Sequence, residues 1–417
     1  MDEARRIRVG SAPLEVPEFT LRHYAAPEGW QGAQATYGLK DGRVGWRKSV
    51  DAAKMPVMTN ASAPTVDRAK AGLFVEKLKA SYQGAMLTML VDVGHRTGLF
   101  TAAAVGPLTV EELALSSGLN ARHVLEWASA MAVAGVLEYG TNADDVATFL
   151  LPPEHAMWLT GERYTNLAPV SGMVIGLAPR ADDVIAAMQS GGGVPYEKYR
   201  PHFTHAMDQI GRAKYDALLV RAYLPNAPGL SERLTAGATA ADVGCGTGHC
   251  LNLLAQAFPA STFTGYDFSD EAISLARVEA EAMGLTNVSF DVADVRSLPS
   301  DAFDVVFAFD AIHDQADPAG VLGQIRASLQ SGGEFFMVDI RASSYLEDNL
   351  AEPGNLILYG TSLFHCMQVS LAQGGAGLGT AWGTQLATTM LNDAGFASVA
   401  VHNIEADPSN CIYVCRP

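Results

Sequence analysis

The second half of the chain alternates short apolar runs with segments of helical periodicity. The run Phe303–Phe309 is apolar almost throughout, which is typical of a strand in a parallel sheet covered on both faces. Between such runs, apolar residues recur at helical spacing, as at Leu251, Leu254 and Phe258. The alternation predicts an α/β fold with a mainly parallel sheet. The other predicted strands are Ser261–Asp267, Asn287–Val292, Glu334–Ile340, Ser398–Ile404 and Cys411–Val414.

Residues 66–149 show a different pattern, in which helices are followed by a short hairpin. Apolar side chains line one face of a predicted helix from Val66 to Gly98. A second helix, Asn120–Ala134, comes after Thr109 and Glu112, which have capping-box spacing. The segment Val136–Phe149 then predicts a two-stranded wing. Together these elements predict a winged-helix domain.

The patterns divide the chain into four predicted parts. Residues 1–64 form an extension whose role the sequence does not reveal, and 65–165 form the winged-helix domain. A helical connection over 166–229 leads into a larger α/β domain at 230–417. An apolar, glycine-containing insertion at about 341–379 precedes the last helix. Because this insertion follows a strand's carboxyl end, we interpret it as a lid over a substrate.

Charge and composition exclude several classes of function. The net charge is −17, which disfavours binding to nucleic acid or to an anionic membrane. The winged-helix region itself carries six Lys or Arg against ten Asp or Glu over residues 69–165. No membrane span or signal peptide is expected. Five cysteines without framework spacing predict reduced thiols in the cytoplasm.

The segment Ala241–His249 places an acidic residue and three glycines between a strand and a helix. A tight glycine turn at a helix N-terminus brings backbone N–H groups close to a ligand. The dinucleotide pattern G-x-G-x-x-G requires a small sixth residue, but His249 occupies that position. The spacing of Asp242, Gly244, Gly246 and Gly248 instead resembles the first motif of class I S-adenosylmethionine methyltransferases. The resemblance implies a Rossmann-like sheet and S-adenosylmethionine as cofactor, with S-adenosylhomocysteine as product.

Polar residues at the ends of the following strands extend this resemblance in order along the chain. Asp267 ends the second strand, where an acidic residue accepts the ribose hydroxyls. The neighbouring Phe268 offers an apolar face to adenine. Asp294, followed by Val295, is placed to accept the adenine amino group, and Phe309–Asp310 ends the fourth strand. A purely structural role for the acidic residues, as helix caps, is the alternative for any one of them.

The segment Ile312–Asp314 points to the chemistry. Winged-helix O-methyltransferases, which this architecture resembles, carry His-Asp-Trp after the fourth strand, with the His as general base. His313 and Asp314 match the first two positions, whereas Gln315 replaces the Trp. Asp339, at the end of the fifth strand, falls where these enzymes place the acidic residue that orients the base. Imidazole suits deprotonation of a hydroxyl near neutral pH.

The predicted function is therefore methyl transfer to a small-molecule acceptor, with oxygen as the acceptor atom and a homodimer formed through the N-terminal domain. A small thiol, thioether or amine acceptor in the same fold stays open. A DNA-binding regulator that responds to S-adenosylmethionine also stays open, as does a protein or peptide methyltransferase that uses residues 1–60 to dock. No metal site is predicted, because Cys411 and Cys415 lack ligand partners nearby in the sequence. Candidate substrate-pocket residues are Tyr196, His202, Tyr359 and His365, with His365 also a second candidate base.

Overall fold

The structure, a computed structural model, describes residues 65–417. The predictions for residues 1–64, an extension and a docking arm, lie outside the described residues. Within the described part, none of the helices is both long and apolar enough to cross a membrane.

The N-terminal part has the predicted order of helices followed by a hairpin. Thr109 and Glu112 form the predicted capping box: the Thr109 hydroxyl accepts from the Glu112 N–H, and the Glu112 carboxylate accepts from the Thr109 N–H at 2.8 Å. The Asn120 side chain caps the second predicted helix. The elements are α1 (Arg68–Arg96), α2 (Leu99–Ala103), α3 (Val110–Ser117), α4 (Ala121–Val133), β1 (Glu138–Thr141), β2 (Ala147–Leu150) and α5 (Pro153–Leu159).

Four helices form the connection to the larger domain. The third of them runs into a π-helical turn, Leu219–Tyr223, whose Leu219 and Tyr223 side chains join one core of the larger domain. These helices are α6 (Ala168–Leu177), α7 (Ala181–Ser190), α8 (His202–Leu218) and α9 (Leu230–Ala236).

The larger domain is built on one seven-stranded sheet, and every predicted strand is present. Its strands are β3 (Thr239–Val243), β4 (Thr262–Asp267), β5 (Val288–Val292), β6 (Phe303–Phe309), β7 (Leu329–Ile340), β8 (Ser398–Ile404) and β9 (Asp407–Arg416). Their order is β5-β4-β3-β6-β7-β9-β8, with β9 antiparallel to both of its neighbours and the other pairs parallel. The predicted α/β class is confirmed.

Helices cover both faces of this sheet. They are α10 (His249–Ala257), α11 (Asp270–Ala282), α12 (Pro318–Ser328) and α16 (Gly383–Asp393), while the insertion contributes α13 (Leu346–Asn349), α14 (Asn355–Thr361) and α15 (Met367–Ala372). Because strand side chains alternate between faces, Cys411 and Cys415 share one core with Tyr413, whereas Ile412 and Val414 join the other. Both cysteines thus pack in the core of the larger domain.

The chain order reverses beside β3, which lies between β4 on one side and β6 on the other. In an open α/β sheet, ligands bind at such a switch point, outside the carboxyl ends of the strands. The segments that follow β3, β4, β5 and β6 therefore meet at one edge of the sheet.

Candidate functional site

A cavity of about 540 Å³ lies at this edge of the sheet. Its wall includes backbone from the glycine loop, strand-end carboxylates and part of the insertion. Nine residues predicted from the sequence line it: Tyr196, Gly244, Gly246, Asp267, Phe268, Asp294, Val295, Asp310 and Asp314. The other predicted site residues do not line it: Asp242, Gly248, Phe309, His313, Asp339, His202, Tyr359 and His365.

The three glycines of the loop all have positive φ angles, of 71°, 53° and 76°, but they face different surroundings. A Cβ on Gly244 would come within 2.7 Å of the Ala311 Cβ. A Cβ on Gly248 would come within 2.5 Å of the Ala276 Cβ, so this glycine allows α10 to pack against α11. At Gly246 an added Cβ would meet no protein atom within 4 Å. Gly246 is therefore the glycine that leaves space for a ligand.

Asp267 fastens this loop to the end of β4. Its carboxylate accepts hydrogen bonds from the Gly246 N–H at 2.9 Å and the Ser269 N–H at 2.8 Å. Burial raises the pKa of Asp267, while these hydrogen bonds and the Arg200 charge act against the rise. Asp242 is buried beneath the loop, where burial and the Asp267 charge raise its pKa to about 8. Of the two carboxyl groups, that of Asp267 lines the cavity beside the glycine loop.

Aromatic and charged side chains form the next part of the wall. The Phe268 ring is 57% exposed and meets the Tyr196 ring edge to face at 5.7 Å between centroids. The Arg200 guanidinium lies over Tyr196, 5.1 Å from the ring centroid. Asp294 is held by an ion pair with Arg296 at 2.5 Å. Two aromatic rings and a carboxylate are suited to contact a planar base with an amino group.

Asp310 combines an unusual backbone with an unsatisfied carboxylate oxygen. Its φ angle is +51°, a conformation that is rare for residues other than glycine and often found at functional sites. One oxygen, Oδ2, accepts from Lys214 at 3.3 Å and from the Tyr215 hydroxyl at 3.1 Å. Its Oδ1 is buried and has no hydrogen-bond partner. The preceding residue, Phe309, instead packs on Phe307 and Tyr215.

The structure brings His313 and Asp339 together, as the sequence predicts. His313 Nδ1 lies 2.8 Å from Asp339 Oδ1, and the fully buried Asp339 also accepts from Trp382 Nε1 at 3.3 Å. On the other side of the ring, Nε2 is 3.4 Å from Asp314 Oδ1. Burial lowers the pKa of His313, but the charges of Asp339 and Asp314 outweigh it and raise that pKa well above its ordinary value.

His313 is only 3% exposed, because Asp314 separates it from the cavity and Cys366 packs beside it. Sequence reasoning missed Cys366, although it directly follows His365. Gln373, Gly374 and Gly375, which belong to the insertion interpreted above as a lid, also line the cavity. A Cβ on Gly375 would lie 2.4 Å from the Ala316 Cα, so this close approach requires glycine.

The remaining pocket candidates lie elsewhere. His365 is buried among Tyr199 and Phe203 at centroid distances of 4.6 and 4.3 Å. Burial lowers the pKa of His365 to about 4, so it is neutral at pH 7. The Tyr359 hydroxyl accepts from Asn349 at 3.0 Å, and His202 is exposed at the start of α8.

Comparison with known proteins identifies two domains. Residues 234–395 match the family described as methyltransferase domain, and residues 85–161 match the Rv2258c-like winged HTH domain. Methyltransferase GfsG of Streptomyces halstedii is 35% identical over 124 residues, which are 28% of this chain and 44% of that protein. The chain thus spans less than half the length of this curated relative.

Solved structures resemble the chain over a longer range. Human N-acetylserotonin methyltransferase in complex with SAM superposes with a TM-score of 0.60 at 17% identity, covering 85% of this chain and 99% of that one. An O-methyltransferase family protein from Burkholderia thailandensis has a TM-score of 0.57 at 19% identity, covering 85% and 98%. At this identity the likeness establishes the fold.

The fold and the family matches define the class together. The chain contains a methyltransferase domain of the S-adenosylmethionine-dependent class and, ahead of it, a winged HTH domain. The predicted resemblance to winged-helix methyltransferases and the Rossmann-like α/β fold are confirmed.

Proposed function

We propose that this protein transfers the methyl group of S-adenosylmethionine to a hydroxyl oxygen of a small molecule, with His313 as the general base. One observation carries the proposal. A single cavity joins the glycine loop and Asp267 to Asp314, which stands directly in front of the His313–Asp339 pair. Cofactor and acceptor positions are thus adjacent, as an in-line displacement requires.

The residues of the cavity fit the cofactor. Asp267 provides carboxylate oxygens for the ribose hydroxyls, and the unpartnered Oδ1 of Asp310 is available to accept from the ammonium group. Phe268 and Tyr196 offer apolar surface to adenine, and Gly246 leaves the space that a side chain would fill. When bound, the cofactor supplies a methyl carbon on a sulfonium, which an oxygen nucleophile attacks directly.

His313 is placed to receive the acceptor's proton at Nε2. Asp339 holds Nδ1, which fixes the tautomer and stabilises the imidazolium that forms. Asp314 stands between Nε2 and the cavity, so we propose that acceptor binding turns its carboxylate aside. Hydrogen bonds of a catalytic base are often completed only in the substrate complex.

An amine is the second candidate acceptor, favoured by the charge of the wall. Asp314 lines the cavity beside His313, and Asp317, which caps α12, lines it as well. Carboxylates in the cavity wall attract a protonated amine and disfavour an anionic acceptor. A hydroxyl on a neutral or cationic molecule satisfies the same electrostatics.

We also propose that the winged HTH domain serves in forming a homodimer. Along α1, the side chains of Phe74, Tyr82, Met86 and Val93 are between 46% and 67% exposed. Such an apolar stripe is typical of an interface. Against DNA binding, Arg122 on α4 is paired with Glu126 at 2.6 Å. The five free cysteines support a cytoplasmic location.

The experiment that tests the proposal is an acceptor screen on the purified full-length protein, with S-adenosylhomocysteine formation as readout. Acceptors are grouped as alcohols and phenols, amines, thiols and carboxylates. We expect turnover with a hydroxyl acceptor. If calorimetry shows cofactor binding but only thiols are turned over, the assignment of oxygen as acceptor atom is rejected and the cofactor site is retained.

A further inference from the structure

Three potential metal ligands meet beside the cavity. The ligand atoms of His313, Asp314 and Cys366 all lie within 4.8 Å of one another. His313 and Asp314 follow β6, whereas Cys366 belongs to the π-helical turn Ser362–Cys366 of the insertion. The side chains of His313 and Asp314 are 3% and 29% exposed, and Cys366 is 5% exposed. Imidazole, carboxylate and thiolate are the ligand types of protein zinc sites.

The separations suit one tetrahedral ion after a small adjustment. Zinc–ligand bonds of about 2.0–2.3 Å place tetrahedral ligand atoms about 3.3–3.7 Å apart. His313 Nε2 and Asp314 Oδ1 are already 3.4 Å apart. Cys366 Sγ, which lies within 4.8 Å of one ligand atom of each of these residues, needs to approach by about 1 Å. Three protein ligands would leave a fourth position for water, as in zinc sites that exchange ligands.

The surroundings of the cluster also match those of a metal site. Asp339 accepts from Nδ1 of His313 at 2.8 Å, the contact that orients a metal-bound histidine and leaves its Nε2 to the ion. Asp314 Oδ1 is buried and forms no hydrogen bond, so it has an unsatisfied lone pair where the ion would lie. Asp314 also lines the cavity, which gives an ion a path of entry.

We propose that His313 Nε2, Asp314 Oδ1 and Cys366 Sγ form a binding site for Zn²⁺, and that bound zinc inhibits methyl transfer. The thiol proton of Cys366 and the Nε2 proton of the His313 imidazolium are released to solvent when the zinc–sulfur and zinc–nitrogen bonds form. The lone pair of His313 Nε2 can bind either the metal or the acceptor's proton, so bound zinc prevents proton transfer. The inhibition rests on the proposed base role of His313, whereas binding of the ion does not.

The test measures binding and inhibition separately on tag-free, chelator-treated full-length protein. Zinc affinity is obtained by competition with a chromophoric chelator, and Co²⁺ serves as a spectroscopic probe of thiolate coordination. The variants are Cys366→Ala and the matched control Cys415→Ala. Cys415 is a control because it is also buried but is not one of the three proposed ligands. It lies on β9, four residues after Cys411, which pairs with Asp339 in the sheet.

We expect one zinc ion to bind per chain. Cys366→Ala should lower zinc affinity more than about 100-fold, whereas Cys415→Ala should leave zinc affinity unchanged. Asp339→Asn should weaken binding about 10–100-fold, the usual effect of losing such a supporting contact. The Co²⁺ form should show a thiolate charge-transfer band that Cys366→Ala abolishes. Equal zinc affinity in wild type and Cys366→Ala would overturn the site. Tight zinc binding without loss of turnover would retain the site but reject inhibition, and would count against His313 as base.

Discussion

Substitutions in the glycine loop can separate the contribution of each glycine to stability from its contribution to cofactor binding. Alanine at a left-handed position costs about 1–2 kcal/mol of backbone strain, partly offset by the lower entropy of the unfolded chain. Gly284→Ala measures this cost alone, because Gly284 has φ of +68° and an added Cβ meets nothing within 4 Å. We expect a loss of about 1 kcal/mol in the free energy of unfolding.

Gly246→Ala should have the same modest effect on stability as this control, since its Cβ also meets no protein atom. Gly248→Ala should cost more, because its Cβ would lie 2.5 Å from the Ala276 Cβ and 2.6 Å from Phe290. Overpacking adds about 1–3 kcal/mol, for a total of about 2–4 kcal/mol. Cofactor affinity should fall at least about tenfold in Gly246→Ala, where the Cβ occupies cavity space.

The assays are urea unfolding without ligand and calorimetric titration with S-adenosylmethionine. Gly284→Ala should bind the cofactor as the wild type does. If Gly246→Ala binds S-adenosylmethionine as tightly as the wild type, the space beside Gly246 is not occupied by the cofactor. Equal stability of Gly246→Ala and Gly248→Ala would refute the packing argument.

Three further predictions concern the base and the dimer. His313→Ala should keep cofactor affinity but lower turnover about 10²–10⁴-fold. The wild-type rate should rise with pH through the raised pKa of His313, because only neutral imidazole accepts a proton. If the variant shows the same rise of rate with pH, His313 is not the base. Asp339→Asn should lower turnover and shift the rise of rate with pH to lower pH, because burial then lowers the pKa of His313 with less opposing negative charge. A pH profile that does not shift would contradict this. Met86→Glu should convert a dimer to monomer in light scattering, whereas Ala80→Glu, on the far side of the exposed helix α1, should not; a dimer in both would reject this interface.

Much of the fold follows from local patterns. The run Phe303–Phe309 coincides with β6, because a buried strand needs continuous apolar residues between turns. Ser398–Ile404 coincides with β8, a half-exposed strand at the edge of the sheet. The last strand is longer than predicted, extending from Asp407 to Arg416 rather than from Cys411 to Val414. Its ends contain polar residues that pair with β8, and a hydrophobic pattern does not register such pairing.

The candidate site shows where local pattern stops being informative. Sequence order places His313, Asp314 and Asp339 after neighbouring parallel strands, and this topology alone brings them to one edge. The exposure of each side chain depends on the insertion, whose packing has no periodic signature. Cys366 reaches His313 only because a π-helical turn of the insertion lies over the end of β6. His313 is consequently a buried group behind Asp314. The same packing that buries the proposed base brings the proposed zinc ligands together, so a change in the packing of the insertion should affect proton transfer and metal binding together.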